Sequence, residues 1–298
     1  MFLTATLLIA PGAARAQYAA GWTPALNEAA RAAPEARIIV LDLRDGRLLA
    51  ARHLDEAART LAAPGSTLKP LILYELLWSR RWNAERRIAC DRSLVISGRR
   101  LACSHPVAPP FDARAALAWS CNSYFAEVAR TLRPGELAPL LRATGLLSAT
   151  GLARGEALAE LREPRSTEEM QLGVLGVENI RVTPLELAWA YRRLTNELMA
   201  HSGDIASGTV RAGLADSVES GMAQPARQKM ISVAGKTGTA ESAGSPQTHG
   251  WFAGFAPADR PRVVIVVYLS SGRGMDAAHI AGLLLAHAPP NANRANRP

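Results

Sequence analysis

The stretch ARIIVLDLRDGRLLAAR, residues 36–52, decides the fold. It reads as two apolar-rich strands joined by a turn at Asp45-Gly46, a hairpin close to the N-terminus. Strand signals resume only near the other end, at Ile231–Lys236, His249–Ala256 and Arg262–Ser270, before a last helix from Asp276 to about Ala288. Between them the pattern is helical, clearest at Asp112–Trp119, Asn122–Leu132, Pro184–Leu198 and Arg211–Met222, with Gly and Pro breaks. Strands at both ends around a helical middle predict an α+β protein. One mainly antiparallel α/β sheet is assembled from N- and C-terminal segments and flanked by helices, with a mostly α-helical insertion over about 85–225. The tail PPNANRANRP, 289–298, reads as unstructured.

Bulk properties narrow the function classes. With 298 residues and 48% hydrophobic residues the chain buries a real core. The net charge of +8 is scattered through helices and loops without a dense basic run, and there is no zinc-finger spacing, RNA-binding aromatic signature, heptad run or internal repeat. Nucleic acid is therefore not an expected partner. At the N-terminus, Phe2–Ala10 is a short apolar core, Pro11-Gly12 breaks it, and Ala14-Arg15-Ala16 offers a small-x-small cleavage pattern. Residues 1–16 are read as a signal peptide, although no positive charge precedes the apolar core, and the expected location is periplasmic or extracellular. About ten apolar residues do not span a bilayer, which takes about twenty.

The three cysteines fit export. Cys90 and Cys103 bracket the polar loop DRSLVISGRRLA, and a disulfide there would add about 3 kcal/mol in an oxidising compartment. Cys121 is then left over. The competing readings are three unpaired thiols, or a metal site on Cys103 and His105. The metal reading ranks last because zinc takes four ligands and no second CxxC-like pair lies nearby. No metal and no cofactor are expected.

Lysine usage points to chemistry. Of 34 basic residues only Lys69, Lys229 and Lys236 are lysines. An arginine guanidinium does not give up its proton in a protein, whereas a lysine amine does when its surroundings disfavour the charge. Gly65-Ser66 opens an apolar-periodic helix running to about Arg80, within AAPGSTLKPLILYELL, residues 62–77. Ser66 and Lys69 are three apart on one helix face, so an uncharged Lys69 can take the Ser66 proton. Burial and a nearby second cation, Lys236, would lower the affinity of Lys69 for its proton.

Two further patterns follow in order: Ser120-Cys121-Asn122 at a break before a helix, and Lys236-Thr237-Gly238-Thr239 after an apolar strand. A hydroxyl and an amide at the first can relay a proton and hold a peptide carbonyl or a lysine. At the second, Gly238 admits another backbone, an extended substrate along the strand edge, while the lysine and threonine hydroxyls suit a carboxylate. Taken singly, each pattern reads as well as a helix cap followed by a surface lysine, a helix cap, or a solvated strand end. All three arise in a shuffled chain roughly once in a thousand, so the set is specific where its members are not.

These residues resemble the SxxK, SxN and KTG motifs of the penicillin-binding protein transpeptidase family, related to the serine β-lactamases. The resemblance extends to PGSTLKP, SCNSYF, VTPLELAWAYRRLTN, AGKTGTAE and HGWFAGFAP in the expected order, and to the Cys90–Cys103 loop before SCN. It implies one transpeptidase domain over 17–298, with Ser66 as the acylated nucleophile, Lys69 as proton acceptor, and Ser120 and Asn122 as relay and substrate holder. It further implies carboxylate binding by Lys236, Thr237 and Thr239 beside Gly238, and an oxyanion hole from the backbone N–H groups of Ser66 and Thr239.

The implied reaction is D,D-transpeptidation of peptidoglycan stem peptides, with β-lactams as covalent inhibitors and a glycosyltransferase as a partner. The alternatives are a D,D-carboxypeptidase, a class D-like β-lactamase, or a β-lactam- or muropeptide-binding module without turnover. No glutamate in Gly151–Met170 can be placed as a deacylating base, and Asn122 stands where class D enzymes usually carry valine.

Overall fold

A computed structural model describes residues 12–241 and 247–293. The chain enters through a helix, α1 (Gly12–Ala32), that the sequence pattern did not predict. Its buried residues Trp22, Ala25 and Ala29 follow helical spacing and press on one face of the sheet. Of the leader expected over 1–16, residues 1–11 lie outside the described residues, and positions 12–16 belong to α1.

The hairpin forms as expected. Strands β1 (Arg37–Asp42) and β2 (Leu48–Arg52) are joined by a turn in which the Asp42 carboxylate accepts from the N–H groups of Arg44 and Asp45. The three C-terminal strands are β3 (Ala234–Glu241), β4 (Thr248–Ala256) and β5 (Val263–Leu269). They complete an antiparallel sheet in the order β2-β1-β5-β4-β3, with Arg37 opposite Tyr268 and Asp42 opposite Val263. The first strand of the chain thus pairs with the last.

Both faces of the sheet are covered, which explains why β5 is a continuous apolar run without alternation. Val264, Val266 and Tyr268 pack with Ile39, Leu41, Trp251 and Phe255 toward the helical insert. Val263, Ile265, Val267 and Leu269 pack with Ile38, Val40 and Phe252 toward α1 and the C-terminal helix α7 (Gly274–Ala286).

The helices that carry the site are α2 (Lys69–Trp78), α3 (Ala113–Ala118), α4 (Asn122–Ala129), α5 (Pro184–Ala200) and α6 (Ile205–Glu219). Their starts are encoded locally: the Asp112 side chain accepts from Ala115 N–H, and Thr183 accepts from Glu186 N–H with Pro184 next in line.

Three expectations shift. Helix α6 begins at Ile205 instead of Arg211 because Asp204 caps it, accepting from Ala206 N–H at 2.7 Å. Strand β3 runs from Ala234 through Glu241, so the Lys236–Thr239 motif lies inside the strand and not beyond it. The tail read as unstructured over 289–298 starts with a helical turn, Pro290–Asn293, whose Ala292 is buried, while 294–298 lie outside the described residues. Among the described residues no helix is long and apolar enough to cross a membrane.

Candidate active site

Ser66 sits in a 3₁₀ turn, Gly65–Leu68, that runs directly into α2 at Lys69. In a 3₁₀ turn residues i and i+3 eclipse, which aligns Ser66 and Lys69 more closely than an α-helix would. No side chain caps this turn or the start of α2. Lys69 is 0% exposed, so the reading of a capping serine with a surface lysine does not apply.

Lys69 Nζ donates to Ser120 O at 2.9 Å and Asn122 Oδ1 at 2.7 Å, and lies 3.3 Å from Ser120 Oγ. The second motif therefore spends its side chains on the first motif's lysine. The helix cap of α4 is Cys121, without a side-chain capping bond, so Ser120 and Asn122 are not capping residues either. Asn122 is itself fixed, its Nδ2 donating to Leu101 O at 3.2 Å and its backbone N–H to Cys103 Sγ at 3.0 Å. Ser120 is held at φ +57°, a left-handed conformation that a serine adopts only where its surroundings impose it.

Burial lowers the Lys69 amine to about 8, against an opposing electrostatic pull led by Cys103. Lys236 is also 0% exposed, and burial first, then the Lys69 charge, holds its amine well below the ordinary lysine range. Burial, one of the two expected causes, is thus the leading one for both lysines.

The third motif is joined to the first backbone to backbone. Strand β3 is the sheet's outer strand, pairing only with β4. A Cβ on Gly238 would stand 2.4 Å from Pro64 O and 3.0 Å from the Thr67 methyl. A Cβ on Gly65 would stand 2.9 Å from Thr239 N. Gly238 was expected to admit a substrate backbone; what it admits is the Ser66 turn. Lys236 Nζ donates to Thr237 O at 3.0 Å beneath the strand. The Thr239 hydroxyl accepts from Gly274 N–H at 2.8 Å and keeps its own proton available.

Ser66, Ser120, Asn122, Thr237 and Thr239 line one cleft. It continues past Arg99, Val177 and Glu241 into a second one lined by Ala62, Asn179, Arg181 and Tyr268. Arg99, on the edge of a short hairpin, pairs with Glu178 at 2.7 Å and Glu241 at 2.6 Å where the two clefts meet.

Several supporting residues had no assigned role in the sequence reading. Tyr191 on α5 donates its hydroxyl to Thr67 O at 2.9 Å, and Trp251 Nε1 donates to Ala63 O at 2.9 Å. His249 lies 2.8 Å from the same Ala63 oxygen. All three brace the Ser66 turn from elements remote in sequence. The quoted segments VTPLELAWAYRRLTN and HGWFAGFAP carried them, but no local signal marks a buried hydroxyl as a brace.

The cysteines follow the reading of three unpaired thiols and converge on one point. Cys90, Cys103 and Cys121 are free thiols, with Cys90 Sγ 3.5 Å from Cys103 Sγ, a hydrogen bond and not a disulfide. Cys121, expected to be left over, joins them, and so does His105: one ligand atom from each of the four lies within 4.8 Å of the others. The fourth ligand whose absence nearby had disfavoured a metal site comes from the fold. Hydrogen bonds from the Cys121 thiol and from the Ser123 and Asn122 N–H groups favour negative charge on Cys103 and push the proton affinity of Cys121 up.

The antiparallel sheet and helical insert thus carry one cleft that gathers Ser66, Ser120, Asn122 and the edge-strand threonines, with Lys69 buried behind it. Residues 36–286 match the model of the penicillin binding protein transpeptidase domain, and the chain belongs to that family. Peptidoglycan D,D-transpeptidase MrdA of Acinetobacter baumannii is 36% identical over 87 residues, a match covering 24% of this chain and 13% of that protein. The fold is shared with the transpeptidase domain of Burkholderia pseudomallei penicillin-binding protein 3, at a TM-score of 0.80 and 20% identity over 95% of this chain and 97% of the other. It is likewise shared with a peptidoglycan glycosyltransferase from Burkholderia ambifaria, at a TM-score of 0.77 and 21% identity over 93% and 94%.

Proposed function

We propose that the chain is an exported D,D-transpeptidase that cross-links peptidoglycan stem peptides through an ester on Ser66. The observation that carries the reading is the position of Lys69: wholly buried, with an amine held near 8, and fastened to Ser120 and Asn122 behind a cleft that Ser66 lines.

Ser66 Oγ attacks the carbonyl carbon of the penultimate D-alanine. Its proton passes to the Lys69 amine, directly or through Ser120 Oγ, 3.3 Å from Nζ. The oxyanion that forms is received by the backbone N–H groups of Ser66 and Thr239, where losing one donor typically costs about 3 kcal/mol. Collapse breaks the peptide bond, the departing D-alanine amine takes the proton back, and the acyl-ester remains. An amine of a neighbouring stem then attacks the ester carbon, its proton leaves by the same route, and Ser66 recovers its own. The Thr237 and Thr239 hydroxyls face the terminal carboxylate. Lys236 lies beneath them, and an incoming anion raises its hold on a proton and so its attraction. Residues 1–16 serve as the export signal in this reading, and a glycosyltransferase supplies the glycan strands whose stems are joined.

The test uses purified protein with a stem-pentapeptide analogue, with and without a D-amino acid acceptor. Exchange product is expected; tetrapeptide alone would make the protein a carboxypeptidase, and neither product a binding module. Mass spectrometry after β-lactam exposure is expected to show an adduct on the wild type and none on Ser66→Ala.

A further inference from the structure

Against the Ser120–Asn122 turn, with Cys103 also on the wall of the Ser66 cleft, lies a cluster that the acylation chemistry does not use. Cys90, Cys103 and His105 arrive on the long connection between α2 and α3, and Cys121 arrives on the turn itself. Three sulfurs and one ring nitrogen lie within 4.8 Å of one another. A tetrahedral ion with metal–sulfur bonds near 2.3 Å requires ligand atoms about 3.8 Å apart. The Cys90–Cys103 sulfur separation of 3.5 Å is close to that edge.

His105 supplies an independent observation. It is 1% exposed, packs edge-on against Phe111 at 4.7 Å, and its Nδ1 lies 2.7 Å from Pro106 O. A backbone carbonyl only accepts, so Nδ1 carries the proton and Nε2 presents a lone pair. That Nε2 is buried and has no hydrogen-bond partner. Imidazoles that bind metals characteristically donate their other ring N–H to a carbonyl or carboxylate in this way, while a buried acceptor left empty is destabilising. The sulfurs are set up similarly: Cys103 Sγ accepts from Asn122 N–H at 3.0 Å, and Cys90 Sγ is 3.3 Å from Ser123 Oγ. A Cys90–Cys103 disulfide would use two sulfurs and leave the Cys121 thiol and His105 Nε2 without function.

We propose that Cys90, Cys103, His105 and Cys121 form a closed, structural zinc site that clamps the 90–105 connection to the Ser120–Asn122 turn. With four protein ligands the ion has no open position and takes no part in acyl transfer. Each thiol gives its proton to solvent as its sulfur bonds the metal, so three thiolates and one neutral imidazole around Zn²⁺ carry a net charge of −1. Cys121 stands between Ser120 and Asn122, so the ion also fixes the strained Ser120 backbone and the amide that holds Lys69.

The full chain, purified without chelator, is expected to contain about one zinc per molecule by elemental mass spectrometry. Protein stripped by a chelator and titrated with Co²⁺ is expected to show the visible bands of a tetrahedral cobalt-thiolate centre, saturating at one equivalent and displaced by Zn²⁺. Cys103→Ser and His105→Ala should lose the metal and lower Tm, and Ser66→Ala should retain it, which separates this site from the acylation reading. The cobalt titration needs no variant, so misfolding of the substituted proteins leaves the test intact. Substoichiometric zinc together with no tetrahedral cobalt spectrum would overturn the proposal, as would a Cys90–Cys103 disulfide mapped in the protein as isolated.

Discussion

Asn122 Oδ1 accepts from Lys69 Nζ at 2.7 Å, and this contact joins two segments 53 residues apart into one proton-handling unit. The lysine reaches the second motif with its full length buried, so its charge is disfavoured at the place where an uncharged amine is needed. Burial and the electrostatic pull of the neighbouring cysteines, Cys103 first, act on the same atom in opposite senses, and burial wins.

Acylation of Ser66 should therefore rise with pH. Only the uncharged Lys69 amine accepts a proton, and its value is about 8, so the rate should climb about tenfold per pH unit below that point and level off above it. Stopped-flow labelling with a fluorescent penicillin between pH 6 and 9.5 measures this; a rate flat from pH 6 upward would contradict it.

Stability should carry the same signature. The amine falls from 10.5 to about 8 on folding, so the unfolded chain binds more protons across that window and stability increases with pH through it. The full effect is on the order of 3 kcal/mol. Lys69→Met removes this component, so the Tm of the variant relative to wild type should decline as pH is raised from 8 to 10. A constant difference would show that burial does not lower this amine.

Gly238→Ala should uncouple the first and third motifs. The new Cβ would meet Pro64 O at 2.4 Å, which neither backbone can yield without separating β3 from the Ser66 turn. A displacement of about 1 Å costs on the order of 100-fold in rate, so acylation should fall by about that factor, with a stability loss of about 1–3 kcal/mol. Penicillin labelling and thermal denaturation read the two effects separately.

Tyr191→Phe removes the hydroxyl that donates to Thr67 O at 2.9 Å inside the core. It should cost about 1–2 kcal/mol, because a buried hydrogen bond to the turn is lost, and should lower kcat while leaving KM nearly unchanged. A stability loss without any change in kcat would show that the brace does not position the nucleophile.

Arg99→Ala should do the reverse. Its two carboxylate partners are 42% and 60% exposed, so the ion pairs contribute little and Tm should hold within a few degrees. Arg99 stands where the catalytic cleft meets its neighbour, so KM for a stem-peptide analogue should shift several-fold with kcat retained. Equal KM values would remove Arg99 from substrate binding.

Much of the architecture was legible from periodicity. The 36–52 hairpin and the apolar runs at 249–256 and 262–270 appear where the pattern puts them, because a strand buried on both faces leaves a nearly continuous apolar run, aromatic in one and β-branched in the other. Helix α1 was not legible, since its alanine-rich face is no more apolar than its surroundings. The extent of β3 was misread because its two glycines, alanines, lysine and glutamate are poor strand formers in isolation, and pairing with β4 and packing against the Ser66 turn hold that conformation.

Sequence alone determined the candidate groups, their order and their types: Ser66 with Lys69, Ser120 with Asn122, Lys236 with Thr237 and Thr239. Spacing within a helical turn is a local property that residue identity encodes directly. Tertiary structure alone decided which groups meet across long separations: Lys69 with Asn122, Tyr191 with Thr67, Gly238 with Pro64, and three cysteines with His105. Such contacts depend on how the β1–β5 pairing closes the sheet and where the helical insert then lies, and no window of neighbouring residues contains that information.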